Sequence, residues 1–323
     1  MIKKAREKSV RLLTVEAGAR RTIPNHPSNP QIEGELGRLQ AGYRGEQALD
    51  YYLTFLPHED YLIFHGLRLE DHKNRFFQMD TLLLSSTHGL ILDSKNISGE
   101  LEFDEISHQL KRKSQNGYET FGDPISQVER QKLQLGKWME QHFGKRIPIA
   151  GQVVLTNKNS TLIGVTPALM KKVTFLTNLP NKIKTFHENF QNPFLYEKEL
   201  RKIARTLIKK HVPDSFDFSN FFGVNADQLV KGVICPQCTH APMIKLKSGW
   251  FCDSCGCCSK TAHLDALMDY SLLIGKSITN SQAREFLCLP SRSAVGYIFR
   301  SMKLQSDGQG KGSVYLLDGI NQP

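Results

Sequence analysis

Apolar residues in "AGYRGEQALDYYLTFL" (41–56) fall at Ala48, Leu49, Tyr52, Leu53 and Leu56, the recurrence of an amphipathic helix. Three strand-like runs follow, "YLIFHGLRL", "FFQMDTLLLSS" and "HGLILDSKNI", the last two separated by a turn of Ser, Thr and His. "SGELEFDE" and "HQLKRKS" extend the antiparallel pattern. In "DPISQVERQKLQLGKWMEQHF" a helix begins, with Asp123 suited to the N-cap and Pro124 to the first helical position. "IPIAGQVVLTN" and "VTFLTNL" read as further buried strands, ahead of a helical stretch near 193–211. The first half of the chain therefore predicts a mixed α/β domain.

Outside these elements the pattern loosens. Residues 1–40 read as a basic helix followed by a turn-rich surface arm, "RRTIPNHPSNPQIEGE", ahead of a domain at 41–190. The span 191–232 reads as a helix and then a linker, because "HVPDSFDFSNFFGVNADQLVKG" carries little periodicity. Cysteines dominate 233–260. From 261 to 323 the pattern is helical: Asn280 or Ser281 would cap a helix ending at "LPS", and a second runs from about Arg292 to Met302. That second helix would bury Val295, Ile298, Phe299 and Met302 and expose Arg292, Ser293, Tyr297 and Arg300. "KLQSDGQGKGSVYLL" then reads as a Gly-rich turn between two strands, so the tail is similar to a winged helix-turn-helix, with a plain helical hairpin as the alternative. In the winged arrangement Arg292, Ser293 and Arg300 would touch DNA, with Lys311 on the wing reaching a phosphate.

Charge adds a direction. The 42 Lys and Arg against 32 Asp and Glu give a net charge of +10, which favours an anionic partner such as nucleic acid. The N-terminal segment has no apolar core of a secretory signal, and no run approaches the ~18–20 apolar residues of a membrane span, so a cytoplasmic protein is the expectation.

All seven cysteines come after residue 234. A disulfide framework would staple the whole chain, so their confinement points to a local metal site. Cys235-X-X-Cys238 and Cys252-X-X-Cys255 offer a tetrahedral four-thiolate zinc centre, with Cys257 or Cys258 as alternatives to Cys255. Four sulfurs leave no open coordination position, which makes the zinc structural; a thiol switch is the competing use.

Charged residues in the first domain occupy costly places. Glu46 lies on the first helix, Asp80 mid-strand, and Asp93 and Lys95 at the end of the next strand, on one face by period-two alternation. If the two strands form a hairpin, Asp80 and Asp93 fall opposite one another. Two or three carboxylates make a site for a hard divalent cation, and the lysine is placed to offset charge developing on a phosphoryl group. The plainer alternative is a neutralising Asp93–Lys95 pair and a satisfied Asp80 at a bulge.

The series "AGYRGEQALDYYL", "FFQMDTLLL", "GLILDSKNISGELEF" and "DPISQVERQ" resembles the nuclease-related domain, NERD, of the PD-(D/E)XK nuclease-like superfamily, over about residues 1–190. The resemblance implies a restriction-endonuclease-like α/β core with a mixed central sheet, followed here by the zinc ribbon and the winged tail. It also implies Glu46, Asp80 and Asp93 as ligands of magnesium or manganese, and Lys95 as the catalytic lysine. Gln127 matches the glutamine that follows in these domains, and Gln78 the one preceding the aspartate. The expected function is metal-dependent hydrolysis of phosphodiester bonds, in DNA rather than RNA. Aspartate at 93, where glutamate is more common, leaves open a DNA-binding or scaffold protein that retains a nuclease-like fold.

Overall fold

A computed structural model describes residues 1–57, 60–104, 106–114, 117–190, 192–308 and 312–317. The chain divides into two compact units, Met1–Ser9 with Arg38–Asp214 and Val10–Gly37 with Ser215–Pro323.

Among the described residues ten strands build the first unit: β1 (Ile2–Lys4), β2 (Leu62–Glu70), β3 (Phe76–Leu84), β4 (Gly89–Lys95), β5 (Gly99–Asp104), β6 (Gln109–Ser114), β7 (Gly117–Gly122), β8 (Ile149–Leu155), β9 (Ser160–Ile163) and β10 (Val173–Phe175). Six form a mixed sheet in the order β1-β2-β3-β4-β8-β10, antiparallel from β2 to β4 and parallel elsewhere. "SGELEFDE" and "HQLKRKS" do continue the antiparallel pattern, as β5 and β6 paired antiparallel, and they do so in a separate sheet ordered β7-β6-β5-β9. After α1 (Val10–Arg21), a helix of the second unit, come α2 (Asn29–Leu53), α3 (Pro124–Phe143), α4 (Pro167–Lys172), α5 (Leu179–Asn189) and α6 (Glu197–Lys209).

Strand β4 is buried on both faces, as its unbroken apolar run requires. On one face Leu90 and Leu92 join Leu49 and Leu53 of α2; on the other Ile91 joins Leu135, Trp138 and Met139 of α3 with Ile203 and Leu207 of α6. Each such side chain contributes about 1.5–3 kcal/mol by leaving water. Asp123 caps α3 by accepting from the Ile125 and Ser126 amides, Pro124 fills its first turn, and Gly144 ends it in the left-handed region.

Where an arm was expected before residue 41, α2 already starts at Asn29. Pro30 falls in its first turn, where a missing N–H costs nothing, so the proline opens the helix.

In the second unit α1 packs on α8 (Ala262–Leu273), with Arg20 and Arg21 both ion-paired to the buried Asp269. Arg21 Nη1 also donates to the Val230 and Gly232 carbonyls, so this basic helix spends its terminal charge inside the fold. The supposed linker holds α7 (Phe218–Phe222) and buries Phe218, Phe222, Val224 and Leu229; a Cβ at Gly18 would lie 2.0 Å from the Phe218 ring. The ribbon, β11 (Ile244–Leu246), β12 (Gly249–Phe251) and β13 (Cys258–Ser259), has no separate core. Its Met243, Trp250, Cys235 and Cys252 sit in one cluster with Leu267, Phe286, Val295 and Phe299.

After α8 come β14 (Ser277–Thr279), α9 (Asn280–Phe286), α10 (Arg292–Ser301), β15 (Ser306–Asp307) and β16 (Val314–Leu316), with the strands ordered β14-β16-β15. The order here is helix, strand, two helices and an antiparallel strand pair. The cap of α9 is Thr279, in a reciprocal box with Gln282, rather than Asn280 or Ser281. Among the described residues no helix is long and apolar enough to cross a membrane.

Candidate active site and zinc centre

Strands β3 and β4 pair from Leu84–Gly89 to Thr81–Leu92, so Asp80 and Asp93 are the next facing positions, as the hairpin reading expects. The sequence does not reveal what happens in β3 at Asp80. On the other side of β3, pairing with β2 runs through His65–Thr81 and Leu67–Met79 and skips the step between them, where Gly66 adopts φ +57° opposite Asp80. Met79 and Leu82 both enter the same core cluster, so the strand changes face at this aspartate. Asp80 Oδ2 accepts from the Ser94 amide (3.0 Å) and hydroxyl (3.3 Å), which fixes the carboxylate against β4.

Asp93 is 1% exposed. Lys95 Nζ lies 2.7 Å from its Oδ2 as an ion pair without the direction of a hydrogen bond, and Oδ1 has no hydrogen-bond partner among the described residues. Burial first, and then the Asp80 charge, push the Asp93 carboxyl up to about 7. The Lys95 ammonium loses by burial but gains more from Asp93, Asp80 and Glu46, so its pKa is raised. Nζ also donates to Gln127 Oε1 at 3.3 Å.

Helix α2 brings Glu46. Its approach depends on Gly45, where a Cβ would lie 2.6 Å from Asn96 Cβ and 2.7 Å from Thr156 Oγ1. Asn96 Nδ2 donates to the Ala41 carbonyl at 2.7 Å, tying the helix to the chain just after β4. Burial, then Asp80, push the Glu46 carboxyl up to about 7, while Arg6 opposes the shift.

Arg6 is a residue that pattern reading missed. Its guanidinium is buried and contacts Glu46 (2.8 Å), Asp50 (2.9 Å), His65 Nδ1 (2.8 Å) and Thr81 Oγ1 (3.1 Å). One arginine among seven charged residues near the N-terminus carries no local signal. Gln131 was missed too, although its spacing of four from Gln127 puts both on one face of α3; it is buried, and its Nε2 donates to the Gln78 carbonyl at 2.7 Å. The Gln78 side chain is exposed, so that glutamine contributes its backbone.

Glu46, Asp80, Asp93, Lys95 and Gln127 are thus brought into one neighbourhood. The donor chemistry suits a hard divalent cation, because two carboxyls carry a raised cost of ionisation and one buried oxygen lacks a partner. Among the described residues, the group of Cys, His, Asp and Glu ligand atoms that all lie within 4.8 Å of one another is Cys235, Cys238, Cys252 and Cys255. The three carboxylates are spread more widely.

In that cysteine group Sγ–Sγ distances are 3.7 Å for Cys235–Cys255 and 3.5 Å for Cys238–Cys252. Tetrahedral bonds of about 2.3 Å to zinc imply edges of roughly 3.75 Å, so the cluster has the size of a zinc site. Each pair sits in a tight turn closed by backbone bonds, Thr239 N to Cys235 O and Gly256 N to Cys252 O. Cys255 completes the set; Cys258 is exposed and Cys257 packs beside the shared core.

On α10, Arg292, Ser293 and Arg300 are exposed, while Val295, Ile298 and Phe299 are buried. Lys311 lies outside the described residues.

A nuclease-like core with a mixed central sheet, joined in sequence to a four-cysteine cluster, is the class this architecture defines. Residues 41–156 match the family model of the nuclease-related domain, NERD, a span that contains all five site residues and suggests a nuclease-related function. The match is shorter than the resemblance read from the sequence and leaves out the N-terminal segment. No curated protein and no solved structure matches the chain.

Proposed function

We propose that the chain is a divalent-metal-dependent nuclease that hydrolyses phosphodiester bonds in DNA. The observation that carries this reading is the meeting of Lys95, Asp93 and Asp80 where the β3–β4 ladder ends, with Glu46 in the same field. Glu46, Asp80 and Asp93 are the residues that would hold magnesium or manganese. When bound, such an ion polarises a phosphate and lowers the pKa of a coordinated water.

The chain's own groups account for the rest. Lys95 stays charged beside Asp93 and stabilises negative charge gathering on the phosphoryl oxygens. Gln127 accepts from Nζ and limits its swing. Ser94 orients Asp80 through two hydrogen bonds. Water adds to phosphorus, the ester P–O bond breaks, and the released oxygen takes up a proton. Zinc at the four cysteines would be structural, and Arg292, Ser293, Arg300 and Lys311 would contact DNA.

A specific observation favours a second reading, a DNA-binding protein that keeps the fold without turnover: Arg6 already neutralises Glu46. Purified chain incubated with DNA and magnesium separates the two. The nuclease reading expects cleavage that Asp80→Ala and Lys95→Ala abolish. Equal cleavage by the wild type and both variants, or binding with no cleavage under any divalent ion, overturns it.

A further inference from the structure

Helix α3 carries Gln127, Arg130, Gln134, Lys137 and Gln141 at steps of three and four, a stripe about 80° wide at 3.6 residues per turn. This stripe is set apart by what it lacks. The acids of α3 lie on other faces and are engaged, Glu129 with Lys132 at 2.9 Å and Glu140 with Arg146 at 2.6 Å. Arg130 and Lys137 are exposed and have no ion pair or hydrogen bond among the described residues.

The stripe walls two cavities. One, of about 470 Å³, runs from Lys95 and Gln127 to Arg130, with Leu110 and Phe121 of the four-stranded sheet opposite. The other, of about 350 Å³, continues from Arg130 past Gln134 to Lys137 and Gln141. Arg130 lines both, so they form one path leading to Lys95. Two acids face it, and both are spent. Asp123 holds the amides at the start of α3, and Asp71 is paired with Arg75 at 2.7 Å.

We infer that a nucleic-acid strand lies along α3, with Arg130 and Lys137 on its phosphates and the glutamines as uncharged hydrogen-bonding partners between them. The two cations stand seven residues apart, about 10 Å along the axis, roughly three backbone steps of a B-form strand. Charge complementarity commits the path to a polyanion. An alternation of cation and amide without acid suits a phosphate chain better than an acidic peptide, whose carboxylates bond most strongly where paired guanidinium groups meet them. The inference deepens the nuclease reading and rests on it for what happens at Lys95.

The test uses the full chain carrying Lys95→Ala, so that cleavage does not disturb binding. Affinity for a labelled DNA oligonucleotide is followed from about 50 to 200 mM salt. Arg130→Gln with Lys137→Gln lowers the slope of log affinity against log salt by about 1.4–1.8, the release expected for two phosphates at 0.7–0.9 each. Lys198→Gln, exposed on α6, leaves the slope unchanged. An unchanged slope in the double variant overturns the inference, as does displacement of the DNA by polyglutamate at an equal concentration of charge. Retained cleavage by Lys95→Ala sinks the catalytic reading alone, and the slope still judges the strand path.

Discussion

Two glycines three residues apart on α2 give opposite answers to the same substitution. Gly42 is exposed, and a Cβ there meets nothing within 4 Å; Gly45 faces Asn96 and Thr156 at 2.6 and 2.7 Å. Helix propensity alone predicts that alanine stabilises at both, by about 0.5–1 kcal/mol. At Gly45 ordinary contact near 3.4 Å demands that something retreat by about 0.8 Å. Asn96 and the Thr156 backbone are held, although the Thr156 hydroxyl has no hydrogen-bond partner among the described residues. Asn96 donates to the Ala41 carbonyl and accepts from Asn157 at 2.8 Å, and the Thr156 amide bonds the Lys95 carbonyl at 3.0 Å. The strain therefore falls on α2, and overpacking of this kind costs about 1–3 kcal/mol. At about 2–4 °C per kcal/mol for a unit of this size, Gly42→Ala raises the unfolding midpoint by a few degrees and Gly45→Ala lowers it by a few. Thermal unfolding measures the sign. Hydrogen exchange on β4 and β8 peptides localises the loss. Because Glu46 is the next residue, the proposed nuclease reading also expects a shift near 1 Å to cut DNA cleavage by up to about 10²-fold. If both alanines stabilise, the close approach of helix and strand is refuted.

Three other predictions concern the same molecule. Glu46 and Asp93 both have folded pKa values near 7, above their ordinary values of 4.5 and 3.8, so between about pH 4 and 7 the folded chain binds more protons than the unfolded one. In chelator, stability should accordingly fall as pH rises through that window, and Glu46→Gln should flatten the fall; superimposable curves would contradict the raised values. Removing zinc, or Cys235→Ser, should expose Trp250 to water and shift its emission to the red, whereas Cys258→Ser should keep one zinc per chain by elemental analysis. Arg292→Ala and Arg300→Ala on α10 should each reduce the salt slope of DNA binding by about 0.9 with no loss of thermal stability, since both side chains are exposed; an unchanged slope would remove α10 from the contact surface.

Local chemistry carried several features without help from the fold. The Asp123–Pro124 start of α3 follows from capping geometry within four residues. The buried face of α10 follows from helical period, and the four-cysteine cluster from two C-X-X-C turns, each of which sets its own pair of sulfurs. The facing of Asp80 and Asp93 follows from hairpin register across a short turn. The four charged residues that the family resemblance singles out, Glu46, Asp80, Asp93 and Lys95, converge in the fold.

Long-range packing decided the rest. The sequence could not show that α2 begins at Asn29, because turn-forming residues and a helix-opening proline look alike until the helix is seen to continue. It could not show that "SGELEFDE" leaves the central sheet, since antiparallel alternation is the same in either sheet. Arg6 reaches Glu46 across 40 residues and Asp50 across 44, and Arg21 reaches Asp269 across 248, distances over which periodicity carries no information. The face change at Asp80 arises from a glycine on the partner strand. Residue types and their local spacing thus determined which side chains make up the candidate site. The tertiary structure alone decided which charges neutralise one another, because that depends on which ones burial forces together.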